Sequence, residues 1–118
     1  MASISAALRD LLADHDLPVE EALTRHFTDS YRQSTDGEWI DRGGFATQVE
    51  HLRSLIKTVE IEVLDELARG SAYAERHIIR LVGRDGSITT REVYLFAELA
   101  ADGRFDSLQE TFRPITAS

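Results

Sequence analysis

The sequence predicts an α+β domain, and three observations predict it. In the first half, apolar residues recur at helical spacing. From Thr58 they recur every second residue, as a half-buried strand requires. Turns containing Gly then divide the second half into lengths suited to an antiparallel meander. Helices followed by such a meander pack as a helical layer on one sheet face.

Ile4, Leu8, Leu11 and Leu12 mark the first helix, with Ser3 or Ser5 placed to cap it. His15-Asp16 interrupts it. Asp16 is then expected to cap a second helix with Pro18 in its first turn, where Glu20 and Glu21 suit the positive dipole end. Val19, Leu23 and Phe27 share one side of that helix, which must end near Asp29-Ser30. Tyr31 to Asp36 reads as a short strand, Asp36-Gly37 as a turn, and Trp39-Ile40 as the partner strand. Asp41 then resembles an N-cap. Phe45, Val49, Leu52 and Ile56 form the stripe of a third helix, with Leu55 alongside and Gln48, His51, Arg53 and Lys57 on its other side. Val59, Ile61 and Val63 alternate with Glu60 and Glu62. Further strands are expected over roughly 71–82, 88–99 and 104–112, turning at Arg84-Asp85-Gly86 and at Ala101-Asp102-Gly103.

Composition sets the outer limits. A chain of 118 residues fits one domain over 1–118, and 42% hydrophobic with 29% charged residues fits an ordinary globule. The absence of cysteine removes disulfides, thiol nucleophiles and thiolate zinc sites. A formal charge of -8 argues against nucleic acid and anionic membranes as partners. No apolar run approaches the ~18 residues of a membrane span. Met1-Ala2-Ser3-Ile4-Ser5 lacks a basic segment and Arg9-Asp10 break any signal-type core, so the expected compartment is the cytoplasm. Lys57 is the single lysine beside many Arg, Ala and Asp residues, a composition typical of a GC-rich bacterial genome.

The three-residue loop Arg84-Asp85-Gly86 pairs odd positions with odd positions across the hairpin. One face then carries Tyr73, Glu75, His77, Ile79 and Leu81 opposite Val93, Leu95, Ala97 and Leu99. The other carries Arg76, Ile78 and Arg80 with Glu92, Tyr94 and Phe96. A two-residue loop would instead set Arg80 against Arg91, a like-charge pair. The first face suits a concave interior and the second a partner surface, with Arg80 and Glu92 expected as cross-strand partners.

Asp41-Arg42-Gly43-Gly44-Phe45 with its helix, and the strand from Glu92 running into Asp102-Gly103-Arg104-Phe105 with Glu110 beyond, resemble the nuclear transport factor 2-like superfamily, and its SnoaL-like branch most. The resemblance implies a cone: N-terminal helices packed into a strongly curved, mainly antiparallel sheet, a cystatin-like α+β barrel with an apolar cavity at its open end. It also implies a homodimer through the outer sheet face. The superfamily includes ketosteroid isomerase, dehydratases, polyketide cyclases, epoxide hydrolases and non-catalytic binders, so fold alone does not give function. The isomerases' aspartate base falls near Thr35, their tyrosine near Leu11 or Leu12, and their buried acid near Leu95. None of these residues has that chemistry, and Asp36 beside Thr35 sits in a turn.

His77 is the leading acid–base candidate, a histidine on an apolar strand with Glu75 two residues away on the same face. A hydrogen-bonded structural histidine is the commoner outcome for such a residue. Glu110 enters the cavity if Leu108, Glu110 and Phe112 alternate inward, and it then needs a partner or a raised pKa. Tyr31, Trp39 and Tyr73 are candidates for the cavity mouth, and Ile79, Val93, Leu95, Ala97, Leu108 and Phe112 for its lining. His26 is expected to hydrogen-bond across the core, His51 to be solvated and His15 to lie in a loop. No histidine pair has metal-ligand spacing, and neither a phosphate loop nor a nucleophile elbow occurs, so no metal or cofactor is expected. Ile78, Arg80, Glu92, Tyr94 and Phe96 form the expected dimer face. The leading reading is a small-molecule binder taking a hydrophobic ligand in a largely apolar cavity; the alternatives are an acid–base enzyme acting on one and a structural dimerisation module.

Overall fold

The computed structural model describes residues 3–115, so Met1 and Ala2, on which the reading of the N-terminus partly rests, lie outside the described residues. The elements in order are helix α1 (Ile4–Leu8), a π-helical turn (Arg9–Ala13), α2 (Val19–His26), β1 (Phe27–Thr35), β2 (Glu38–Asp41), α3 (Arg42–Leu55), β3 (Ile56–Arg69), β4 (Ala72–Gly83), β5 (Ile88–Leu99) and β6 (Phe105–Pro114). The six strands form one sheet in the order β2-β1-β6-β5-β4-β3. All pairs are antiparallel except β1 with β6. The sheet stays open: β2 and β3 are its two edges, so the strands do not close into a barrel.

Several local expectations hold. Ser3 accepts from the Ala6 amide and Asp41 from the Gly44 amide, each capping a helix. Asp36 and Gly37 both take positive φ, 51° and 91°, which suits the two-residue turn joining β1 to β2. Others fail for identifiable reasons. Asp16 does not cap α2; Asp14 instead accepts the Asp16 and Leu17 amides and turns the chain there. The helix ends at His26, three residues early, because Phe27 adopts an extended backbone and begins β1. Helix α3 passes directly into β3, so Ile56 belongs to the strand and Leu55 is exposed.

The odd–odd register is the observed one: Tyr73 lies opposite Ala97, Glu75 opposite Leu95 and His77 opposite Val93. Gly83 abuts this hairpin loop so closely that a Cβ there would meet Asp85 and Ser87 oxygens at 2.6 Å. Strand β3 carries a bulge at Leu64, between the pairs Val63–His77 and Asp65–Arg76. The extra residue exchanges the two faces of β3 beyond it and sets Glu66 against Glu75.

Inside, Leu11, Ala7, Ala22 and Leu23 of the helices pack on the inward sheet face. An aromatic cluster of Phe27, Tyr31, Phe45, Phe105 and Tyr73 crosses the closed end, with neighbouring ring centroids 4.5–5.9 Å apart. On the outer face Tyr94 and Phe96 are exposed, and Ile78 and Arg80 half-buried. The expected Arg80–Glu92 pair does not form. Arg80 faces Thr90 on one side and Glu60 on the other, and its ion pair at 3.8 Å is with Glu60. Glu92 is buried beneath Arg76 and Arg113, at 3.0 and 2.5 Å.

Arg53, assigned from its spacing to the outer side of α3, binds inward. Its guanidinium donates to the carbonyls of Leu11, Leu17 and Asp10 at 2.5, 2.6 and 3.1 Å. It thereby satisfies the open end of the first helical segment. Arg53→Met keeps the stem and removes those donors. It should lower stability by about 2–3 kcal/mol, read from urea unfolding, whereas Lys57→Met should change little.

Candidate functional site

Strand β4 places Tyr73, Glu75 and His77 in succession on its inward face, because side chains two apart share a face. All three are buried. His77 Nδ1 lies 2.7 Å from Glu75 Oε2, and the Tyr73 hydroxyl 2.9 Å from Glu75 Oε1. The same hydroxyl also contacts Glu66 Oε2 and accepts the Ile4 amide at 3.2 Å. Glu75 Oε2 is therefore held by His77, while Oε1 shares the single Tyr73 hydroxyl hydrogen with Glu66. With Nδ1 donating to Glu75, a neutral His77 ring presents the lone pair of Nε2. That nitrogen makes no hydrogen bond among the described residues, and the ring lines a cavity.

The cavity measures about 270 Å³ and lies between the helices and the inward sheet face. Leu8, Leu11 and Leu12 close it on one side and Phe45, Val49 and Leu52 of α3 on another. The sheet contributes Ile79, Leu81, Val93 and Phe112. Against this apolar lining stand six polar side chains: Gln33, Thr35, Gln48, His77, Arg91 and Glu110.

The strand register orders them. One row across the sheet is Glu75, Leu95, Glu110, Thr35; the next is His77, Val93, Phe112; the third is Ile79, Arg91, Pro114. Glu110 thus sits two strands from β4, roughly 9–10 Å between backbones, and one row from His77. Its Oε1 accepts the Thr35 hydroxyl at 3.0 Å. Burial pushes the Glu110 carboxyl above its ordinary value; the Thr35 hydrogen bond and then the His77 charge oppose this without cancelling it. Burial likewise raises the Tyr31 phenol, helped by the nearby Glu110 charge, and its hydroxyl donates to Gln33 at 2.7 Å. Tyr73 is raised by burial first and by its bond to Glu66 second.

Of the residues expected to line the cavity, His77, Glu110, Ile79, Val93 and Phe112 do so. Glu75, Tyr73, Tyr31, Leu95, Ala97 and Leu108 are buried around it without lining it. Trp39 is 43% exposed and lies under the Arg32 guanidinium at 4.3 Å, because β2 is an edge strand. Asp36 remains in its turn and accepts from Thr111. His26 pairs with Asp10 at 2.6 Å, His15 bonds the Leu12 carbonyl, and His51 is exposed. Among the described residues no group of three or more His, Asp or Glu is disposed to hold a metal, and no helix is long and apolar enough to cross a membrane. Sequence reasoning missed Gln33, Gln48 and Arg91. Arg91 carried a signal, since it shares the inward parity of Val93 and Leu95.

No family model matches the sequence, and no curated protein matches it. Solved structures do match the fold. A nuclear transport factor 2-like protein of unknown function from Exiguobacterium sp. 255-15 superposes with a TM-score of 0.73 at 17% identity, covering 97% of this chain and 98% of its own. An LEH-like epoxide hydrolase of M. tuberculosis gives 0.72 at 18% identity, over 92% and 79%. A SnoaL-like family protein of Agrobacterium tumefaciens strain C58 gives 0.65 at 15% identity, over 93% and 94%. The chain has the nuclear transport factor 2-like fold.

The raised Glu110 pKa has a stability consequence. Between the ordinary value of 4.5 and the higher folded value, the native state binds more protons than the unfolded chain. That contribution is full at low pH and is lost as pH rises through the folded pKa. Glu110→Gln keeps an acceptor for Thr35 and cannot ionise. Its stability relative to the parent should therefore grow as pH rises above 4.5 and then level off. Urea unfolding from about pH 4 to about pH 8 measures this. A constant difference across that range would contradict the assignment.

Proposed function

We propose that this protein is an enzyme that moves protons on a small, mainly apolar substrate held in the cavity, with His77 as the acid–base group. One observation carries the reading: a buried imidazole, fixed through Nδ1 by a buried carboxyl, lines an apolar cavity with its other nitrogen unpartnered. Glu75 is the positioning residue that sets tautomer and ring plane. Nε2 takes a proton from the substrate and returns it at a second atom. Glu110, two strands from β4 on the same inward sheet face, is biased by burial towards its protonated form. As a neutral acid it donates to an oxygen that gains negative charge as His77 takes the proton. The leucines and Phe45 exclude water and supply affinity. A volume of about 270 Å³ falls just under the roughly 300–1,000 Å³ of sites for drug-sized ligands. A solved neighbour described as an epoxide hydrolase is consistent with acid–base chemistry on this fold.

Deuterium uptake from D2O at the α-carbon of 1-phenylpropan-2-one, followed by proton NMR, tests the reaction. The protein should accelerate exchange over buffer, and His77→Gln should remove about 10²–10⁴-fold of that acceleration. Binding of apolar ketones with no exchange, alike in both proteins, would make this a binder and overturn the catalytic reading.

We further propose that two copies pair through the outer sheet face. Phe96 and Tyr94 are 55% and 40% exposed there, and Leu67 on the same face is 72% exposed. A second copy covers such a patch by two-fold symmetry. Phe96→Glu should halve the mass seen by light scattering; an unchanged mass removes this face as the interface.

A further inference from the structure

Arg91 is the cationic side chain of the cavity. It projects from the inward face of β5, and its neighbours in the same row across the sheet are Ile79 and Pro114, neither of which offers a polar group. Its guanidinium lies over the Phe112 ring, 4.4 Å from the centroid. Stacking uses the flat face of the guanidinium and leaves its N–H edge open.

That edge has no protein acceptor among the described residues. Arg25, Arg42, Arg76, Arg80, Arg104 and Arg113 each meet a carboxylate. Arg9 and Arg53 spend their donors on backbone carbonyls. Arg91 does neither; nor do Arg32 and Arg69, but these are exposed to water, whereas Arg91 is half-buried and lines the cavity. The cleft that adjoins the cavity at Leu52, Leu81 and Arg91 is also lined by Arg84, which likewise meets no carboxylate. Asp85 also lines that cleft, and its Oδ1 accepts from the Ser87 amide and hydroxyl. Glu110, in the cavity itself, bonds Thr35 and makes no ion pair with Arg91, whose charge acts on it only weakly, after burial, Thr35, His77 and Asp36.

We infer that the ligand is a small organic carboxylate whose apolar body fills the cavity and whose carboxylate meets Arg91 at the mouth. A half-buried guanidinium among apolar neighbours is costly without an acceptor. A carboxylate matches its forked donors in bidentate geometry and makes charge-assisted bonds. The overall charge of -8 disfavours anions at a distance, but screening confines that effect to about 8 Å at physiological salt. Within that range the cleft carries Arg91 and Arg84 against the one carboxylate of Asp85. The register also gives an order. Successive rows lie roughly 6.6 Å apart along a strand, so a carboxylate on Arg91 places a carbon a few bonds away beside His77, with Glu110 one row further. The substrate class is an apolar keto acid. The inference rests on the proposed proton transfer for the reacting carbon, and on Arg91 for the charged end.

The test compares 4-oxo-4-phenylbutanoate with its primary amide, which has the same shape and no charge. Calorimetry measures binding, and proton NMR in D2O measures α-exchange in the same samples. The acid should bind the parent protein at least about tenfold more tightly than the amide. Arg91→Gln should bring the two within about twofold, weakening the acid far more than the amide, and Arg91→Lys should restore part of the preference. Equal binding of acid and amide, a preference that survives Arg91→Gln, or binding of neither probe would overturn the inference. Exchange without acid preference removes the carboxylate and leaves the proton-transfer reading standing. Acid preference without exchange does the reverse.

Discussion

The structure depends on a constraint set by β4: Tyr73, Glu75 and His77 are all withdrawn from water on the face where a core would ordinarily place leucines. Each must find a partner inside the protein, and they find one another. Buried polar groups are tolerable only when satisfied together, since leaving one unpaired costs about 1–3 kcal/mol. Alternation along one strand supplies the spacing, and the pairing of β3 supplies Glu66 as the outer member. The chain ends at a histidine nitrogen with no protein partner, so the interior network terminates where the cavity begins.

The two ends of the enclosed space differ in character. Towards the closed end the aromatic cluster fills the interior, and Tyr31 donates to Gln33 rather than to the space itself. Towards the open end α3 runs without a loop into β3, and the Leu55 carbonyl accepts the Arg84 amide across to the β4–β5 hairpin. The rim is therefore tied together by backbone hydrogen bonds. Arg84 and Leu52, which border the adjoining cleft, are held by that junction.

Much of this was legible in the sequence. Period-two alternation and the Gly-containing loop fixed the register of β4 and β5, and with it the shared inward face of Glu75, His77 and Val93. Elements with strong local signals, such as the Asp41 cap and the Asp36-Gly37 turn, were equally plain. What could not be read depended on non-local pairing. The start of β1 at Phe27 reflects its parallel partnership with β6 rather than any local propensity. Arg53 looked like a surface residue because helical spacing does not show that a neighbouring segment ends within its reach. Trp39 looked like a pocket residue because its size says nothing about lying on a sheet edge. Glu92 was assigned to Arg80 by proximity, yet three strands converge to give it Arg76 and Arg113.

The bulge at Leu64 carries a consequence for how this chain can vary in length. One surplus residue makes Glu66 an inward neighbour of Glu75; were all the residues of β3 kept and the bulge flattened, the C-terminal half of the strand would shift by one position and turn Asp65 inward instead. Aspartate is one methylene shorter and would not span the same gap to the phenol. A homologue one residue shorter at Leu64 keeps Glu66 opposite Glu75 in a regular ladder and can retain Tyr73, whereas one of this length that loses the bulge should have replaced Tyr73 as well.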